Sequence, residues 1–495
     1  MIKKIIHSLQ QYSPLVFIIT LCGFLFFIHP GRDQLSDWDE CIYSQYAVEM
    51  KHSGNLLTNQ WNNVLVFEKP PLNTWLTQIP YFFGVNEFTA RIVPVVESLL
   101  LFMAIYIFAK KYFSGRVAVL SVLLGLSVQV LLAYSIRVNT DIGFTLFTFL
   151  GVFAWFESQK RPRLSYLAGL FFGLAVLNKG LSILPFLLAL FISIFLAFNK
   201  KKLLNFIKLI EVFLITIIPW HAYHFLKYGY DFYHVYFLEH IVKRAQNPLD
   251  FHFESRLFYF KLIFSNLFPW IFGVLILPIY YLISLKKFLN KKKFFQELKE
   301  KQVVFTLMLL IILPLISITL VKTRIAWYAM PIYPFLAIFL SASLVFLINK
   351  FKFRPLIYIL ILLAFCDVFF SIAKETRYSD NVQTITPRNA IFMRASRYPQ
   401  KVIEYLVWLP ERQAKGALSQ SPNLYTSTTF VYGGNPCAVY YSRKNVHYYY
   451  SVEEFKKRMS LRNGLYVVEN GDLIKIDRSK IKIEYANRDF TLFKN

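Results

Sequence analysis

Residues 303–321, VVFTLMLLIILPLISITLV, and residues 327–348, WYAMPIYPFLAIFLSASLVFLI, are two apolar runs separated only by Lys322-Thr323-Arg324-Ile325-Ala326. Each has the length a helix needs to cross a bilayer, roughly 17–25 residues. Working outward, runs of the same kind lie near 13–30, 91–109, 117–134, 141–156, 165–178, 181–198, 204–223, 257–284 and 355–373. Together they predict about eleven spans. The run 257–284 is long and holds Pro269 and Pro278, so a count of about thirteen stays open. The composition agrees: 56% of the 495 residues are hydrophobic, with 51 Phe and 31 Tyr, and the mean hydropathy is +0.43. No ordinary soluble core hides that much apolar surface. The expected class is an α-helical polytopic membrane protein. Its first apolar run, preceded by Lys3 and Lys4, is signal-peptide-like, but no small-residue cleavage pattern follows, so a retained helix is expected.

Charge sets the orientation. Lys and Arg cluster at the N-terminus and after every second span: Lys110, Lys111 and Arg116; Lys160, Arg161 and Arg163; 200–202; 286–301; and 350–354. The positive-inside rule makes these loops cytoplasmic. The formal net charge of +26 then needs no nucleic acid, and membrane lipids are the partners it implies. The outer face receives the loop 31–90, the turns 135–140 and 322–326, the loop 224–256 and the tail after 373. To this side fall Asp39, Glu40, Glu68, Lys69, Arg137, Asp141, Lys179, Glu239, His240, Arg244, Lys322 and Arg324.

The loop 31–90 has apolar spacing at 42–50 and 72–83 that suits short interfacial helices, with Trp38, Trp61 and Trp75 at hand. The tail carries strand-like runs at 402–408, 438–441 and 465–468, and a helix over 452–459 opened by Ser451 with Glu454 three residues on. We expect two domains, a transmembrane catalytic one over 1–373 and a small extracytoplasmic α/β one over 374–495. Of the four Cys, Cys22 and Cys366 lie in predicted spans. Cys41 and Cys437 are far apart in sequence, and no structural disulfide is expected.

Asp37-Trp38-Asp39-Glu40 stands just outside the first span, where a carboxylate meets both water and head groups. Read alone, Asp39 is equally a cap that favours a helix N-terminus. Its company is more specific. Asp39-Glu40-x-x-Tyr43, Ser53-Gly54-Asn55, Phe67-Glu68-Lys69-Pro70-Pro71-Leu72-x-x-Trp75-Leu76 and Phe83-Gly84-Val85-Asn86-Glu87-Phe88-x-Ala90-Arg91 come in order. They are followed by Arg137-x-x-x-Asp141, Asn178-Lys179-Gly180, Pro219-Trp220, Glu239-His240-x-x-x-Arg244, His252, Pro269-Trp270 and Lys322-x-x-x-x-x-Tyr328-x-x-Pro331-x-Tyr333-Pro334. Over about residues 35–345 this set resembles the GT-C class of polyprenyl-phosphate-sugar glycosyltransferases, nearest the aminoarabinose lipid A transferases and their protein O-mannosyltransferase relatives.

The resemblance implies an inverting enzyme of the GT-C fold, a monomer in the bacterial cytoplasmic membrane, that takes a sugar from undecaprenyl phosphate at the periplasmic face. The acceptor is an envelope molecule such as lipid A. It implies Asp39 as base or charge stabiliser, with Glu40 and Asp141 orienting it or the sugar. Lys69 and Tyr328 take the donor phosphate, helped by Arg244, Lys322 and Arg324. A compact ammonium suits that task, although Lys69 is also explained as a snorkelling side chain. Glu68 and His240 are implied as ligands of one divalent metal, zinc or magnesium; a hydrogen-bonded Glu–His pair explains them equally. Arg137 and Asp141 are also readable as a salt bridge. Where many relatives have Arg three positions after the Asp, this chain has Ile42, and Arg324 is the candidate replacement. A protein O-glycosyltransferase or glycan ligase on the same fold is the alternative enzyme. A transporter would show internal repeats and polar residues near mid-bilayer, whereas here they gather at one face.

Overall fold

The protein is described from a computed structural model covering residues 2–27, 33–36, 38–196, 199–247, 254–276, 278–279, 302–353, 355–380, 386–407, 435–461 and 464–495. Asp37, His252 and the basic run 286–301 lie outside these residues. It is a polytopic helical membrane protein with a small C-terminal α/β sheet domain. Two compact units divide it. The first comprises Met1–Pro30, Arg91–Gln246 and Phe253–Tyr378; the second comprises Gly31–Ala90, Asn247–His252 and Ser379–Asn495. The first outer loop thus shares a unit with the tail, a grouping that differs from the expected boundary at 373/374.

Among the described residues of the first unit, each expected span other than 257–284 is largely helical. Among the described residues five helices are long and apolar enough to cross a membrane: Glu87–Tyr112, Lys200–Gln246, Gln302–Leu320, Ala326–Lys350 and Pro355–Lys374. Pro14–Phe27, Gly115–Ser127, Leu164–Lys179 and Leu181–Phe195 are apolar but shorter. The expected run 257–284 is broken. Helix Phe258–Leu267 stops before the cis Phe268–Pro269 bond, and a short 3-10 helix follows over Trp270–Leu275. A proline cannot donate to the helix ladder, which accounts for the stop. Helix Leu164–Lys179 packs closely on Lys200–Phe232 because Gly169 and Gly173 face it: a Cβ on Gly169 would run into the Leu209 carbonyl oxygen, and one on Gly173 would lie 2.5 Å from the Thr216 Cβ. Small residues four apart are a recurrent way for membrane helices to approach. The central core gathers Phe102, Phe108, Leu123, Phe149, Phe335 and Phe339.

In the second unit, helix Asp39–Ser53 ends at Gly54, whose φ of 70° lets its N–H reach the Met50 carbonyl at 3.1 Å. A glycine there accepts a left-handed conformation that other residues resist. An unexpected hairpin follows, β1 (Asn59–Trp61) antiparallel to β2 (Val64–Val66). Its turn residues Asn62 and Asn63 both have positive φ, 55° and 64°, as a two-residue hairpin turn requires. Glu49 fixes that turn by accepting the Asn62 N–H at 2.5 Å and the Asn63 N–H at 2.9 Å.

The tail forms a five-stranded sheet in the order β4 (Asn445–Tyr449), β3 (Val402–Leu406), β5 (Leu465–Glu469), β7 (Phe490–Lys494), β6 (Lys482–Ala486). β3 is parallel to β4 and to β5; β7 is antiparallel to β5 and to β6. Phe455, on helix Val452–Leu461, packs with Leu406, Tyr466, Val468 and Phe493 in its core. The free edge of β4 is covered by the loop hairpin: Asn62 donates to the Val446 carbonyl at 2.8 Å and accepts its N–H at 3.0 Å. An amide side chain thereby substitutes for a sixth strand. Buried Glu404 on β3 takes Tyr449 Oη at 2.7 Å, His447 Nδ1 at 3.1 Å and Arg458 Nε at 3.2 Å. Burial, then the bond to this carboxylate, holds the Tyr449 hydroxyl above the usual phenol range.

Two expectations about the tail are corrected. The strand-like run 438–441 is helical, Cys437–Ser442, with all six residues buried. A fully buried run has no alternating pattern to separate strand from helix, and packing overrides its aromatic, β-branched character. Cys41 and Cys437 are joined in a disulfide, Cα–Cα 5.0 Å, across 396 residues of sequence. Sequence distance argued against it; membership of one compact unit permits it.

Candidate active site

The second unit holds Asp39, Glu40, Glu68 and Lys69. Asp39 opens helix Asp39–Ser53, half-buried, where the helix dipole favours a carboxylate. Trp38 before it has φ 66°, ψ −108°, a conformation rare outside glycine. Glu40 is 2% exposed and accepts both the Ser36 N–H (2.8 Å) and the Ser36 hydroxyl (2.9 Å). This geometry ties Glu40 to its own turn. Ile42 is buried. Glu68 and Lys69 are half-buried and follow β2. Asn59 positions this stretch: its amide donates to the Lys69 carbonyl at 2.9 Å while its oxygen accepts from Thr74 Oγ1 at 2.8 Å.

The first unit brings together Asp141, Tyr328 and Arg244, and adds Lys179. Asn139 caps helix Asp141–Ser158 by accepting the N–H groups of Asp141 (2.7 Å) and Ile142 (2.9 Å). Asn178 donates to the Thr140 carbonyl at 2.6 Å. Its neighbour Lys179, at the end of helix Leu164–Lys179, forms a buried ion pair with Asp141. The partner of Asp141 is therefore Lys179, on another helix, where the sequence suggested Arg137. The Lys179 ammonium also stands 4.9 Å from the centre of the Tyr328 ring, a favourable cation–π distance. Tyr328 accepts a hydrogen bond from Arg244 Nη1 at 3.0 Å. Carboxylate, ammonium, phenol and guanidinium form one chain. Lys179 belonged to a quoted motif and carried the signal; what was missing was its partner.

Lys322 is exposed; its backbone N–H reaches the Ala245 carbonyl at 3.1 Å, and Thr323 N–H the Arg244 carbonyl at 3.2 Å, so this turn anchors the end of the segment bearing Arg244. Arg324 is 9% exposed and gives Nη1 to the Glu254 carbonyl (2.7 Å) and Nη2 to that of Thr319 (3.3 Å). Two of its donors are thus committed to backbone. His240 lies half-buried in the π-helical segment Tyr233–Lys243. Among the described residues no group of three or more His, Cys, Asp or Glu side chains is placed to hold a metal ion. Glu68 and His240 alone fall short of the four ligands zinc prefers.

Residues 68–223 match the family model of dolichyl-phosphate-mannose-protein mannosyltransferases. A relative from Pseudomonas savastanoi pv. phaseolicola, named undecaprenyl phosphate-alpha-4-amino-4-deoxy-L-arabinose arabinosyl transferase, is 28% identical over 64% of this chain and 58% of its own. One of the same name from Shewanella sediminis is 26% identical over 54% of this chain and 49% of its own. The chain spans about half the length of these curated relatives. The crystal structure of ArnT from Cupriavidus metallidurans bound to undecaprenyl phosphate aligns over 98% of both chains with a TM-score of 0.69 at 13% identity. The chain has the GT-C fold. Within that fold its sequence resembles the polyprenyl-phosphate-sugar glycosyltransferases, and the apo ArnT structure aligns equally fully, TM-score 0.72.

Proposed function

We propose that the protein is an inverting glycosyltransferase that moves a sugar from undecaprenyl phosphate, or a similar polyprenyl phosphate, to an envelope acceptor such as lipid A. It would act on the periplasmic face of the bacterial cytoplasmic membrane. The observation that carries this reading is the linked Asp141, Lys179, Tyr328 and Arg244 set, in a fold shared with a protein crystallised with undecaprenyl phosphate. In the reaction an acceptor oxygen attacks the anomeric carbon from the face opposite the phosphate. The new C–O bond forms as the bond to the phosphate oxygen breaks, with its electron pair going to the phosphate. Asp39 accepts the acceptor's proton. Lys69, Arg244 and the Tyr328 hydroxyl stabilise the charge that develops on the departing phosphate, and Asp141 positions Lys179 at the Tyr328 ring. A protein acceptor is the second reading, favoured by the mannosyltransferase family match over 68–223.

Binding of a polyprenyl phosphate analogue to the purified protein in detergent tests the donor side. Lys69→Ala is expected to weaken binding strongly, because a charge-assisted contact in a dry cleft is about twice as strong as a neutral one. Tyr328→Phe should weaken it less, since it removes one hydroxyl and no formal charge. Absence of binding by the wild type would sink the glycosyltransferase reading. Mass spectrometry of lipid A and surface glycans from a deletion strain then distinguishes the acceptors.

A further inference from the structure

The Cys41–Cys437 disulfide joins the helix that Asp39 opens to the C-terminal domain, two residues past Asp39 itself. We propose that this bond is a positioning device for Asp39, so that transfer depends on its being oxidised; the inference rests on the catalytic role proposed for Asp39. Three observations carry it. The turn that presents Asp39 contains Trp38 at φ 66°, and a non-glycine residue persists there only where its surroundings over-determine it.

Those surroundings converge on the cross-link. Leu35 N–H donates to Tyr441 Oη at 2.8 Å, and Asn389 Nδ2 donates to Gln34 Oε1 at 2.7 Å. Ser36 is clamped by Glu40, and both cysteines are fully buried. Elsewhere the loop is already tied to the tail without covalent help. Asn62 pairs with Val446, Asn63 Nδ2 donates to Asn445 Oδ1 at 2.6 Å, and Trp61 stacks on Tyr448 at 6.0 Å. A bond needed merely to staple the two segments together would be redundant. Placed at Cys41, it restrains the turn before the helix.

Formation takes two protons and two electrons from the two thiols. A disulfide-carrying oxidoreductase of the extracytoplasmic space supplies the oxidant by thiol–disulfide exchange and is itself reduced to a dithiol. This suits the outer location of the loop and tail.

The test uses the full-length protein with Cys41→Ser, Cys437→Ser and both together. Three readouts are taken: amide hydrogen exchange along the second unit, binding of undecaprenyl phosphate, and the envelope product lost on deleting the gene, followed by mass spectrometry. Exchange at the Leu35, Ser36 and Ile42 amides should quicken at least tenfold while the Asn62 and Val446 amides and binding of undecaprenyl phosphate keep their wild-type values. Product should fall about tenfold or more, since a misplacement of about 1 Å can cost 10²-fold, and the double variant should match either single one. Unchanged exchange at 35–42, a uniform rise across the whole unit, or full product despite a loosened turn would each overturn the proposal. Should Asp39→Asn keep full product, the catalytic reading of Asp39 fails instead, and the exchange data still report whether the bond orders the turn.

Discussion

At the scale of single residues, Asp39 and Lys179 separate chemistry from architecture. Asp39→Asn keeps shape and removes charge and basicity, so turnover is expected to drop on the order of 10²–10⁴-fold while polyprenyl phosphate binding and thermal stability hold. Near-normal turnover of the purified variant would leave Asp39 a helix cap. Lys179 is different because its partner is as buried as it is, with side chains 10% and 4% exposed. Lys179→Met removes the counter-charge of Asp141, a loss of about 3–5 kcal/mol when one member of a buried pair is removed. Adding Asp141→Leu should restore much of the stability without restoring activity. If the single variant melts like wild type, the pair is not buried as described.

Among the elements, the contact between helices Leu164–Lys179 and Lys200–Phe232 is the most exacting. The atom that a Gly169 Cβ would meet is a backbone carbonyl, which cannot swing aside as a side chain can. Gly169→Ala should therefore push the helices apart, lower the melting temperature in detergent and reduce activity through Lys179 at the end of the same helix. Gly54→Ala, with open space around it but φ +70°, should cost only about 1–2 kcal/mol. Equal effects of the two would remove close packing as the explanation. The hairpin β1–β2 had a readable signal in Asn62-Asn63, a pair that tolerates positive φ. The strands themselves leave no pattern, because three residues are too short for alternation to register.

For the whole molecule, topology is the prediction. Impermeant thiol labelling of intact cells should modify a Cys placed at exposed Ser53, and should spare Cys residues placed at Lys160 and Lys201 until the membrane is opened. The native background is first cleared of the free Cys22 and Cys366. The reverse pattern would overturn both the orientation and the side assigned to the site. A cross-link between Cys41 and Cys437 supports the same side, since disulfides persist in oxidising compartments.

The sequence by itself determined that this is a polytopic helical protein, where most of its membrane helices run, and which polar motifs stand between them. In hydrocarbon every backbone group must be paired within its own segment, so a membrane helix is written locally, in the length and composition of one run. Over 257–284 Pro269 and Pro278 left the count open, and the structure places a break at Phe268–Pro269. Only the tertiary structure decided that Asp141 answers to Lys179, that Asn62 closes the edge of β4, that residues 437–442 are helical and that Cys41 meets Cys437. These are contacts between segments tens to hundreds of residues apart, or a buried run whose neighbours choose its conformation. They leave no period and no local composition to read, because their energy exists only once both partners have been brought out of water together.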